Sequence, residues 1–559
     1  MNYSVKLELG SYKDQVQSAV DILQKREAAR KIWLQDPTLW KSDEESVKSI
    51  SNRLGWLNLG AVMKNRLPEL IEFAQEIKGE GFTDVLLLGM GGSSLCPEVL
   101  TRTFGSAPGF PKLHVLDSTV PAQVTDFESR VDLAHTLVVV PCKSGGTVEP
   151  NSLMSYFYEK IKDIKGDQVG NSFVAITDPG TSMVDTAQAN GFRRVFLTPP
   201  EVGGRFSAFT YFGMLPGALI GARIGALLEN GGEMATLCSE SRIDNNNLGI
   251  KLGAAIGALA LEGLDKLTFI TSPGIESFGD WVEQLIAEST GKEGKGILPV
   301  VGEPLGEPDD YGQDRVFVYL KLKEAKAEAL EAKLKVLLEA GYPLITCELE
   351  DTLDLGAQFF LWEFATSMAG VVLDINPFSE PNVKESKDIT LSLIKKYQST
   401  GNAPEAPAGT IDTDWPVEDI YQALTTLMAK VNPGDYIALN AFIEHTEETE
   451  EKLQSIRAKL MKALKVATTL GYGPRFLHST GQYHKGGPNK GLFIEFFAKD
   501  LEPLPIPGQE FSFCILKQAQ ALGDFETLRK HNRRAMLVNL KSDVIGGLQK
   551  LVDAAITIK

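Results

Sequence analysis

Apolar residues recur every three to four positions through the first eighty residues, as in "VQSAVDILQKREAARKIWL" and "LPELIEFAQEIK". That spacing puts them on one face of a helix, so residues 1–81 are predicted to form a helical N-terminal segment. From Asp84 the pattern changes to short, nearly continuous apolar runs, "DVLLLG", "HTLVVVP", "SFVAITD" and "RRVFLTP", each followed by a polar loop and a helical stretch. Runs of this kind suit parallel strands buried on both faces, with the helices as crossovers. They predict a first α/β domain over residues 82–240. The rhythm restarts after Asn245 with "KLTFITSP", "DRVFVYLKL" and "YPLITCEL", predicting a second such domain over 241–398. "STGNAPEAPAGTIDTDWP", rich in Pro, Gly, Ala and Thr, marks a linker over 399–416. Beyond it, "DYIALNAFI", a long charged helix and "GLFIEFFA" predict a C-terminal α+β subdomain over 417–559. The expected fold class is therefore α/β, with two tandem doubly wound parallel-sheet domains, a helical preface and an α+β C-terminus.

Charge narrows the partners. A formal net charge of −17 over 559 residues opposes approach to nucleic acid or to an anionic membrane, so neither is expected. Any anion must be held by a local positive pocket. The five cysteines lie far apart and form no CxxC pair, which predicts free thiols in a reducing compartment. The N-terminus shows no basic-then-apolar leader, and no apolar run is long enough to span a bilayer. A cytoplasmic protein is expected.

Two loops draw attention to an anion. "LLLGMGGSSLCPEVL" places Gly89, Gly91, Gly92, Ser93 and Ser94 just past a strand's carboxyl end, where open parallel sheets bind ligands and helix N-termini hold phosphates. One such loop can equally be an ordinary strand-to-helix turn with a serine cap. "VVVPCKSGGTVEPNS" repeats the design, with Lys143, Ser144, Gly145, Gly146 and Thr147 offering an ammonium, hydroxyls and free amides. Neither loop matches the nucleotide patterns GxxxxGK[ST] or GxGxxG. "GGRFSAFTYFG" sets Arg205 after two glycines, where it suits a delocalised oxyanion or a surface carboxylate. In "DWVEQLIAESTGKEGKGI" Glu288 ends a helix with Gln284 one turn earlier on the same face. Such a glutamate is either a solvated end residue or, with its pKa raised by the negative helix terminus, a general base. The six histidines include no HxH or HExxH set, so neither metal nor cofactor is expected.

Taken together, "GMGGSSL", "CKSGGTVE", "GGRFS", "EQLIAESTGK" and "NPFSEPNVKESK" resemble the glucose-6-phosphate isomerase family, built on two sugar-isomerase (SIS) domains, over roughly Asp84 to Lys387. The resemblance implies that Gly92, Ser93 and the Lys143–Thr147 loop hold a sugar phosphate and that Gln284 contacts the substrate. It further implies that Arg205 faces an enediolate, that Glu288 moves a proton between C1 and C2, and that Lys387 lies near the sugar ring. A homodimer is expected on the same ground.

Three departures stand out. Cys142 replaces a serine usual in the family, and Ser379-Glu380 replaces its Asp-Gln. No histidine lies between Glu288 and Lys387, where the family carries its ring-opening group. His478, in an "LHSTGQ" that is similar to bacterial members, is preferred for that role over His484. This order of segments resembles the isomerase half of bifunctional transaldolase/glucose-6-phosphate isomerases. A transaldolase barrel needs about 250 residues, and only the helical preface precedes Asp84, so no transaldolase activity is expected. The resemblance implies glucose 6-phosphate to fructose 6-phosphate isomerisation. The competing readings are an isomerase that also accepts mannose 6-phosphate, through the shared enediol, and a non-catalytic sugar-phosphate sensor, which would need neither Glu288 nor Arg205.

Overall fold

The computed structural model describes residues 3–239 and 247–556; the expected boundary between residues 240 and 241 lies outside them. The N-terminal segment opens with a strand, β1 (Ser4–Glu8), before its helices. The first sheet holds β2 (Asp84–Leu88), β3 (Lys112–Leu116), β4 (Thr136–Pro141), β5 (Phe173–Thr177) and β6 (Arg194–Leu197), in spatial order β3-β2-β4-β5-β6. All its pairings are parallel. Strands β2 and β4 are buried along their whole length, which explains their unbroken apolar runs. The order reverses between β2 and β4, so the two glycine-rich loops leave neighbouring carboxyl ends at the switch point of the sheet, where α/β folds form their crevices.

The second sheet contains β7 (Lys266–Thr271), β8 (Leu298–Val300), β9 (Arg315–Leu322) and β10 (Leu344–Leu349), again parallel. Its edge is closed by β1, which pairs antiparallel with β10. The preface is thus not purely helical. A half-buried antiparallel strand of five residues is easily lost beside long helical periods, and β1 shows only one fully buried position.

The C-terminal unit differs from the α+β expectation. Its strands β11 (Ile411–Asp412), β12 (Tyr436–Phe442), β13 (Ala467–Tyr472), β14 (Gly491–Phe497) and β15 (Arg534–Asn539) form one wholly parallel sheet in order β11-β15-β14-β12-β13. It is therefore a third α/β unit, whose crossovers include the helices Glu447–Leu464 and Phe513–Lys530. The stretch read as a linker is also shorter than expected, because a helix runs to Thr400 and β11 joins the sheet at Ile411.

The preface and the first two sheets share one core. At its centre the helix Leu355–Leu373 is buried on nearly every side, as its all-round apolar sequence requires. Gly253 lets the helix Leu248–Leu261 approach it closely: a Cβ there would lie 2.5 Å from the Ala365 carbonyl. The Trp40 indole N–H donates to the Ser367 carbonyl at 2.8 Å, fastening the preface to this helix. The third sheet is joined on through the helix Phe513–Lys530, which packs along Val383–Thr400. Among the described residues no helix is long and apolar enough to cross a membrane. All five cysteines are unpaired thiols, four of them buried.

Candidate active site

The first glycine-rich loop is a junction. Gly91 takes a left-handed φ of +55°, and a Cβ on it would come within 2.8 Å of the His478 carbonyl and 2.9 Å of Gln284 Nε2. A Cβ on Gly92 would overlap the Gly204 carbonyl in the turn that carries Arg205. These glycines are required because three segments meet over them. The hydroxyl of Ser93 closes its own turn, accepting from the Met90 N–H and donating to the Met90 carbonyl, both at 2.9 Å. Gly92 and Ser93, expected to contact substrate, also help to build this junction.

The second loop faces a cavity of about 270 Å³. Ser144, Gly146 and Thr147 line it, together with Glu149, Lys387, His478, Lys485 and Gln520. The loop leads into the 18-residue helix Val148–Lys165, whose first amides have no intrahelical acceptor and carry the positive end of the dipole. Gly145 shapes the turn with φ +71°, and its carbonyl accepts from Asn151 Nδ2 at 3.0 Å and Ser182 Oγ at 3.2 Å. The ammonium of Lys143 is ion-paired with Asp178, which also accepts from Thr198 Oγ1 at 2.6 Å. Cys142 is buried and its thiol is pushed up by burial, so no reactive thiolate forms there.

Glu288 lies in the last turn of the helix Phe278–Thr290, with a side chain only 12% exposed. Burial pushes its pKa up; Arg205 pulls it down and Glu380 pushes it up again. Arg205 Nη1 stands 3.3 Å from Glu288 Oε1. Gln284 Nε2 donates to Glu288 Oε2 at 3.0 Å and to the His478 carbonyl at 2.8 Å, so one amide ties the glutamate to the histidine turn. Lys292, buried beside this group, donates to the Ser379 carbonyl; burial, then repulsion from Arg205, holds its pKa well below the usual lysine range.

His478 reaches the cavity from the loop after β13. Its Nε2 lies 3.0 Å from Glu149 Oε1, which also accepts from Gln520 Nε2 at 2.8 Å, and Gln520 in turn accepts from Thr119 Oγ1 at 2.6 Å. Burial opposes ionisation of Glu149, but His478 outweighs it and leaves the pKa lowered. An ionised carboxylate only accepts, so in this hydrogen bond His478 Nε2 is the donor and Glu149 the acceptor. The turn itself is anchored by Arg475, whose Nε donates to Asp117 at 2.7 Å and whose Nη2 pairs with Glu98. His484 lies elsewhere, among Tyr436, Phe476 and Phe493, with neither ring nitrogen hydrogen-bonded among the described residues, and burial drops its pKa to about 3. It is a neutral core residue. Its neighbour Lys485 is ion-paired with Asp524 at 2.5 Å.

Of the expected residues, Ser144, Gly146, Thr147, Lys387 and His478 therefore share the cavity, while Gln284, Arg205 and Glu288 form an adjoining cluster tied to it through the His478 turn. Glu149 and Gln520 were not singled out from sequence. Glu149 had a usable signal, since it follows the phosphate-type loop at a helix start. Gln520 had none, because its helix alternates polar and apolar residues without a clear face.

The doubly wound α/β scaffold carries a phosphate-type loop, a buried carboxylate and an arginine beside it. The comparisons agree. The model of the phosphoglucose isomerase family matches residues 63–295, which contain both loops, Arg205, Gln284 and Glu288. The glucose-6-phosphate isomerase of Mycoplasmopsis pulmonis is 28% identical over 387 residues, covering 61% of this chain and 90% of the relative. That of Carboxydothermus hydrogenoformans is 26% identical over 403 residues, covering 62% and 86%. Among solved structures, a glucose-6-phosphate isomerase from Chlamydia trachomatis shares the fold at a TM-score of 0.58 and 18% identity, covering 71% of this chain and 89% of that one. Residues 63–295 of this chain are thus similar to the phosphoglucose isomerase family, and most of the length of these relatives is covered by it.

Proposed function

We propose that the protein interconverts glucose 6-phosphate and fructose 6-phosphate. The observation that carries this reading is the buried Glu288, held by Gln284 against the turn of His478 with the Arg205 guanidinium 3.3 Å away. In this reading the phosphate sits on Ser144, Gly146, Thr147 and the amides opening the helix Val148–Lys165. His478, backed by Glu149, exchanges a proton with the ring oxygen beside Lys387 and opens the ring. Glu288 then takes the proton from C2 and returns it to C1, or the reverse, a task suited to a carboxylate whose pKa is raised toward neutrality. Arg205 answers the negative charge of the enediolate, a contribution of several kcal/mol in such sites. Each proton transfer in this reading is assigned to a side chain. The groups named in this reading all come from one chain.

The test is a coupled assay starting from fructose 6-phosphate, with glucose 6-phosphate and mannose 6-phosphate read separately. Glucose 6-phosphate is the expected product; formation of neither would overturn the reading and leave a sugar-phosphate sensor. The phosphate loop has its own test. Ser144→Ala with Thr147→Ala is expected to weaken phosphorylated inhibitors far more than neutral sugar analogues, each lost charge-assisted bond counting roughly 1.5–3 kcal/mol. Equal losses for both inhibitor types would assign these hydroxyls to the fold.

A further inference from the structure

A guanidinium has five N–H donors, and those of Arg205 can be accounted for. Nε donates to Ser289 Oγ at 2.8 Å, Nη2 donates to the Pro377 and Ser379 carbonyls at 2.7 and 3.3 Å, and Nη1 donates to Glu380 Oε2 at 3.1 Å. The second donor of Nη1 lies toward Glu288, 3.3 Å away. The side chain is 3% exposed, so it cannot swing out to find new partners. An enediolate oxygen can therefore reach this arginine only by replacing an acceptor already there. Two of these acceptors are backbone carbonyls and one is a fully buried serine hydroxyl. Glu288 is the proposed base. Glu380 alone is replaceable: its side chain is 38% exposed, it is anionic like the oxygen that would succeed it, and it follows an irregular segment rather than lying inside a helix.

We propose that Glu380 is a positioning residue that acts as a displaceable acceptor, holding the Nη1 donor of Arg205 until the anionic oxygen of the enediolate takes its place. The inference rests on the isomerase reading and adds a residue to it. Two consequences follow. Glu380 competes with the transition state for one hydrogen bond, so removing it strengthens binding of anything that carries charge at that oxygen. It also places a second carboxylate beside Glu288, among the charges of Arg205, Arg53 and Lys292, with Glu293 near Lys292; removing it lowers the proton affinity of Glu288.

The experiment uses the full chain and the variants Glu380→Ala and Glu380→Gln. The probes are a phosphorylated hydroxamate that mimics the enediolate and a phosphorylated sugar alcohol that has no charge at C1 or C2. Glu380→Ala is expected to bind the hydroxamate roughly tenfold tighter or more, the size of one charge-assisted hydrogen bond, with the sugar alcohol little changed. Glu380→Gln, which keeps an acceptor but not its charge, is expected to move the same way by less. In both variants the acid limb of the kcat/KM profile should move to lower pH, because the base loses an anionic neighbour. Weaker hydroxamate binding would make Glu380 a favourable ligand contact and overturn the proposal, as would an equal change for both probes or an unmoved acid limb. A wild-type chain that binds the hydroxamate without isomerising fructose 6-phosphate would instead overturn the parent reading, so the two failures are distinguishable.

Discussion

Glu288→Gln is expected to lower kcat by about 10²–10⁴-fold or more while leaving substrate binding nearly intact. The substitution keeps the size of the side chain and an oxygen to accept from Gln284 Nε2, so the link to the His478 turn can persist. What it removes is the ability to take up a proton and give it back. The loss should therefore fall on kcat rather than KM, and solvent hydrogen exchange at C2 should vanish with it. In the wild type, activity should decline as pH falls through the raised pKa of Glu288, since the base works ionised and burial favours its neutral form. Near wild-type turnover in the glutamine variant would refute the assignment.

The second large effect belongs to the histidine. His478→Ala should cut turnover of cyclic glucose 6-phosphate by about a hundredfold or more, within the usual range for a lost acid–base group. Proton exchange at C2 of an analogue fixed in the open-chain form should be spared, because ring opening is then bypassed. His484→Ala is the control: that ring is packed among aromatics, so its removal should show in the melting temperature and not in the cyclic against open-chain comparison. Loss on both substrates in His478→Ala would mean that the residue supports the site as a whole, and no loss on either would mean that the segment is structural.

What the sequence made legible follows from what local pattern can encode. Strands β2, β4 and β5 announce themselves because burial on both faces leaves all but one terminal position of each apolar. The two loops after β2 and β4 were readable for the same reason, since the strand ends fix where they stand. The parallel character of the third sheet was not, because direction depends on which strand lies beside which, and β12 pairs with both β13 and β14 across gaps that local periodicity does not see. The site shows the same division. Arg205 and Glu288 carry local motifs, whereas the partner of His478 is Glu149, 329 positions away. The Asp178 partner of Lys143 is likewise invisible in the sequence, because only the fold brings the two within reach.

On the isomerase reading, the separation of the candidate site along the chain bears on when competence arises. Gln284 holds the His478 turn across 194 positions, and the loop of Gly91 lies earlier still. A ribosome adding about 5–20 residues per second needs roughly 10–40 s to go from one to the other. Through that interval the nascent chain can fold its first two sheets, with Glu288 and Arg205 in place, but still lacks His478, the group proposed to open the sugar ring. The histidine turn arrives last and is fastened from the far side by Asp117 and Glu98, two anchors from the first sheet and its following helix that were made long before. Competence on the cyclic sugar should therefore appear in a single late event, when translation of the third sheet ends and Arg475 finds its carboxylates.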